Sequence, residues 1–100
     1  MSINEAQRRQ TAEELQTLRS LLPQSDGELA GPLGYDVVEF CAILAMEPGV
    51  NPAQVWRVRD YLVAVARAEE IDPPAFSVLT DSGRHKAEGW FGSWDVPQVP

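Results

Sequence analysis

Two stretches of the chain repeat apolar residues every three to four positions. Leu15, Leu18 and Leu22 fall on one helical face, with Gln, Glu and Arg around them. This spacing predicts a first helix from about Glu5 to Leu21, stopped by Pro23. Val55, Val58, Leu62 and Val65 mark a second stripe, with Arg57, Asp60, Arg67 and Glu69 outside it, and predict a helix from Pro52 to about Glu70.

Between these lie two shorter patterns. A helix beginning after Ser25 relies on Leu29 and Leu33. Gly27, Gly31 and Pro32 together disfavour it by roughly 5 kcal/mol relative to alanine, so it is expected to be short, bent or partly 3₁₀. Gly34 suits the tight turn that follows. A further helix runs from Val37 to about Met46 and breaks at Glu47-Pro48-Gly49. Its only polar residue is Glu39. A helix apolar nearly all round is covered, either by its own core or by another chain, and both readings stand. Capping signals punctuate these elements: Asn4 with Gln7, Ser25 with Glu28, Asp36 with Glu39, and Asn51-Pro52 with Gln54.

Asp72-Pro73-Pro74 ends the long helix. Phe76 to Leu79 reads as a short extended segment, and Thr80 or Asp81 caps a fifth helix to about Phe91, terminated by Gly92. The expected fold is all-α: a compact bundle of about five helices with a helix-turn-helix-like core and one short extended segment near 76–79. Residues 1–92 form a single helical domain, and 93–100 a flexible C-terminal tail in which only Trp94 is a candidate to dock.

Charge sharpens this picture. The net charge is −7 over 100 residues, and residues 25–50 hold Asp26, Glu28, Asp36, Glu39 and Glu47 without a single base. Such a surface repels phosphate backbones. No apolar run approaches the roughly 20 residues of a membrane span, and the polar start lacks a signal-peptide core. With one cysteine, Cys41, no internal disulfide can form. The expectation is a cytoplasmic protein without membrane contact.

Candidate chemistry is sparse. His85 is the lone histidine, between Arg84 and Lys86, and with Cys41 it supplies no metal-ligand spacing. Cys41 in an apolar helix behaves as a small hydrophobe rather than a nucleophile. Adjacent carboxylates at Glu13-Glu14 and Glu69-Glu70 point about 100° apart on a helix and fit solvated faces. No phosphate loop is present. Neither a catalytic residue, a metal site nor a cofactor is expected, and the chain is read as a non-enzyme. Trp90 and Phe91 fit a core anchor. The same reading applies to Trp56 and Tyr61, which lie off the main stripe of the long helix and are also candidates for a partner surface.

Leu29, Ala30, Leu33, Gly34, Tyr35, Phe40 and Ile43 together match the helix-turn-helix pattern of the lambda-repressor-like superfamily, which the chain resembles over some twenty residues. The segments QRRQTAEELQ, LGY, VWRVRDYL, FSVLT and WFG also resemble a small bacterial family of unknown function. The first resemblance implies that the third helix reads DNA bases. Its reading positions here are Asp36, Val37, Val38, Cys41 and Ala42, which lack the Arg, Lys, Asn or Gln fork that bidentate base contacts use.

The reading that follows is a non-catalytic protein-interaction or self-associating regulatory domain, a homodimer or bound to another protein. Its interaction residues are Val37, Val38, Cys41, Ala42, Ala45, Trp56 and Tyr61. The alternative is a DNA-binding regulator using another face, with phosphate contacts from Arg8, Arg9, Arg57, Arg59, Arg84 and Lys86.

Overall fold

A computed structural model describes residues 4–80, 83, 87, 89 and 94–99. Among the described residues it has four continuous helices, α1 (Glu5–Leu21), α2 (Asp26–Leu33), α3 (Val37–Leu44) and α4 (Pro52–Ala68), and no strand. Most of the expected fifth helix lies outside the described residues, although Gly83, Ala87 and Gly89 are helical.

The starts of the helices follow the capping signals. Asn4 and Ser25 each accept from the backbone N–H three residues on, and the Gln7 and Glu28 side chains accept in return from the cap N–H. Asp36 accepts from Glu39 N–H at 2.7 Å, which satisfies one of the orphan donors of α3. Asn51 caps α4 through Ala53 N–H rather than Gln54, with Pro52 in the first turn.

Three helix ends share one geometry. Gly34, Met46 and Glu70 have φ of 82°, 55° and 59°, and each is followed by a residue whose N–H reaches back five positions: Tyr35 to Ala30, Glu47 to Ala42, Ile71 to Ala66. This is the Schellman closure, in which a left-handed residue turns the chain and satisfies the last carbonyls. Gly34 adopts that conformation freely; Met46 and Glu70 do so against the Cβ clash.

The α4 helix is the centre of the molecule. Its predicted stripe of Val55, Val58, Leu62 and Val65 is buried, but so are Trp56, Arg59, Tyr61, Val63 and Ala66. It packs against α1 and α3, and α2 packs on α3. Leu15 and Leu18 of α1, Leu29 and Leu33 of α2, and Phe40 and Ile43 of α3 complete the core. Truncating Phe40, which is fully buried, to alanine costs roughly 3–5 kcal/mol.

Two expectations need correction here. The segment 76–79 is not extended: Ser77 to Leu79 form a bend. Ser77 gives both its N–H (3.1 Å) and its hydroxyl (3.0 Å) to the Glu14 carboxylate on α1, so no strand ladder forms. The end of the chain, read from sequence as a tail, lies against α4 over residues 94–99. Trp94 stacks on Trp56 with ring centroids 5.8 Å apart, and Arg57 donates to the Asp95 carbonyl at 2.6 Å.

Candidate functional site

The turn at Gly34–Tyr35 sends α3 back across α2 with one side facing solvent. With about 100° per residue, Phe40, Ile43 and Leu44 share the inward side, and all three are buried. Val38, Cys41 and Ala45 share the outward side and are exposed, Ala42 is half-buried beside them, and Val37 lies at the edge. Val38 is 80% exposed and Val37 44%. Of the two readings left open for α3, the wholly buried core helix does not hold: α3 buries one face and presents the other. The same geometry corrects Cys41, which is an exposed thiol rather than a core hydrophobe.

Acids frame this apolar stripe. Asp36 stands at its start, Glu39 on one flank and Glu47 just past its end, and all three are exposed. At the start of α2, the Glu28 carboxyl is held below the usual range because it accepts first from Ser25 N–H and then from its hydroxyl.

The other interaction candidates lie elsewhere. Trp56 and Tyr61 are each 1% exposed. Both fill the core, because α4 is enclosed on more sides than its apolar stripe suggests, and neither side chain can meet a partner. Burial also pushes the Tyr61 phenol up from its ordinary value.

The basic residues do not gather into one phosphate-binding face among the described residues. Arg57 donates from Nη1 to the Leu33 carbonyl at 2.7 Å and stacks over the Tyr35 ring at 5.4 Å. Arg59 is buried, donates to Asp60 at 2.8 Å and lies over the Phe76 ring at 5.0 Å and the Trp56 ring at 5.8 Å. Asp60, placed on the outer side by the sequence pattern, is drawn inward to this pair and accepts from Trp94 Nε1 at 2.9 Å. Arg9 is exposed on α1, and Arg8 is half-buried 3.9 Å from Glu5. Arg84 and Lys86 lie outside the described residues.

A cavity of about 240 Å³ opens where Arg8 of α1, the Met46–Val50 loop, and Val55 and Trp56 of α4 meet. Sequence reasoning missed it; the left-handed Met46 that turns the loop toward it had no glycine to signal it. Arg8 and Glu47 both line it, so its rim carries both signs of charge. Among the described residues, no three His, Cys, Asp or Glu side chains converge on a common point, and no helix is long and apolar enough to cross a membrane.

No curated protein and no solved structure matches the chain significantly. Residues 1–92 match the family described as an uncharacterized protein conserved in bacteria (DUF2316), and the chain belongs to that family.

Proposed function

We propose that this chain is a non-catalytic, regulatory interaction domain that uses a helix-turn-helix-like scaffold to present α3 to another protein surface. The observation that carries the reading is Val38, at 80% exposure, at the N-terminal end of an outward apolar stripe. A stripe of that kind left in water is a common mark of an interface. The α2–turn–α3 arrangement supports the scaffold, since Gly34 is left-handed where the motif wants its turn glycine.

A DNA-binding regulator that keeps this scaffold and uses a face other than α3 is the second reading. Its chemistry is poor. The outward face offers no base-reading fork, and Asp36, Glu39 and Glu47 would face phosphate. Contacts from another face would fall to Arg8 and Arg9 among the described residues, since Arg57 and Arg59 are held in internal contacts.

Nuclear magnetic resonance on the ¹⁵N-labelled chain separates the two readings, with mixed-sequence duplex DNA added at low salt. The interaction reading expects no saturable shift of any amide, neither on α3 nor around Arg8 and Arg9 on α1. Saturable shifts at either place that vanish with a steep dependence on salt would overturn it, because each phosphate contact adds roughly 0.9 to the log–log slope.

A further inference from the structure

We infer that the partner of the α3 face is a cationic amphipathic helix of another protein, not a second copy of this chain. This rests on the reading of α3 as a protein-binding face and adds the chemistry of what binds. The stripe and its frame have opposite demands. Val38, Cys41, Ala42 and Ala45 need apolar cover, while Asp36, Glu39 and Glu47 around them need positive charge.

A second copy meets only the first demand. Helices in contact lie about 8–10 Å apart, within the Debye length of about 10 Å at 0.1 M salt. A two-fold contact through α3 would bring two sets of three carboxylates together at that range. Residues 25–50 hold no base, only Arg8 on the cavity rim beside Glu47 stands near one of the carboxylates among the described residues, and each chain carries a net −7. A foreign helix with Lys or Arg along both edges of an apolar stripe meets both demands. Its register is short, since eight residues of α3 span about 12 Å, or two to three turns of partner. The small side chains at 41, 42 and 45 leave room for large ones, so Leu or Ile are the expected partner anchors.

The test uses the ¹⁵N-labelled full chain and three 14-residue peptides. One has Leu and Lys at amphipathic helical spacing, one has Glu in place of every Lys, and one is a scrambled Leu–Lys sequence. The amphipathic Leu–Lys peptide is expected to shift the amides of Val37 to Ala45 saturably, and the other two are not. Val38→Asn, a neutral change at an exposed position, is expected to weaken binding at least tenfold. Glu39→Gln combined with Glu47→Gln, which spares the Asp36 cap, is expected to weaken it and flatten its salt dependence. Equal binding of the Leu–Glu peptide at α3 would overturn the cationic partner and leave the interaction reading standing. Shifts elsewhere, equal binding of the scrambled peptide, or no binding at all would overturn the proposal. So would a dimer, seen by light scattering, that Val38→Asn dissociates.

Discussion

Arg57 donates from Nη1 to the carbonyl oxygen of Leu33 at 2.7 Å, across from α4 to the last residue of α2. The last turn of α2 has no basic residue of its own, so Arg57 supplies the positive charge that a helix C-terminus favours. Its Nε holds Asp95 O at 2.6 Å, and the guanidinium thereby ties α2, α4 and the chain end together. Arg57→Met is expected to destabilise the fold by roughly 2–3 kcal/mol, as for a charged hydrogen bond removed from a half-buried site. Urea denaturation reads the loss, and faster amide exchange confined first to α2 identifies its origin.

The docking of Trp94 makes a separable prediction. Its ring stacks on Trp56 and its Nε1–H donates to Asp60. Trp94→Phe keeps the stacking and is expected to cost about 1 kcal/mol. Trp94→Ala loses both contacts and is expected to cost about 2–3 kcal/mol. Denaturant midpoints rank the two variants, and equal midpoints for Trp94→Ala and the parent would show that the chain end does not dock.

Left-handed residues at two helix ends give predictions of opposite sense. Glu70 is exposed and holds φ 59°, so Glu70→Gly removes a Cβ clash and no packing. A net gain of about 0.5–1 kcal/mol is expected, the clash relief of about 1–2 kcal/mol being partly offset by the greater freedom of an unfolded glycine. Met46 has φ 55° but packs against the core. Met46→Gly is therefore expected to show no gain or a loss. Thermal unfolding of the pair distinguishes backbone strain from side-chain packing.

Glu28 titrates below its ordinary value of 4.5 because Ser25 donates to it in the folded state. A depressed carboxyl contributes stability that is present above its unfolded value and is lost as the pH falls through the lower folded one. Ser25→Ala removes the hydroxyl while keeping the backbone donor. The Glu28 midpoint followed by carbon NMR is expected to move part of the way back up. Stability at neutral pH should fall by about 1 kcal/mol, the usual cost of a lost cap.

The helices of this fold were legible wherever a local signal existed. Leu15 with Leu18, and Val55 with Leu62, announced their faces by spacing, and Ser25 with Glu28 announced a helix start. What was not legible depended on distant partners. Trp56 and Tyr61 lie off the α4 stripe, so spacing left both a core and a partner-facing role open; packing decides for the core, with Trp94 stacked on Trp56. Arg59 and Asp60 look like surface charges in the sequence, yet they pair beneath Phe76 and Trp94. Met46 turns the chain without glycine. The exposure of Val38 was open for a simpler reason: an apolar helix gives no internal cue to which side faces its own core.

On the proposed function, the outward face of α3 is covered by another protein in the cell. Cys41 is exposed at its centre and is the only cysteine in the chain, so its reactivity measures that cover directly. Alkylation of Cys41 by iodoacetamide would be timed by mass spectrometry for the purified chain and for the chain at its native level in host cells. A reference variant carries Cys41→Ser with Glu13→Cys, which moves the thiol to an exposed position on α1. Cys41 is expected to react at least tenfold more slowly in cells, relative to the reference, than it does in the purified protein. An unchanged ratio would mean that α3 stands bare where it works, and would overturn the proposed function.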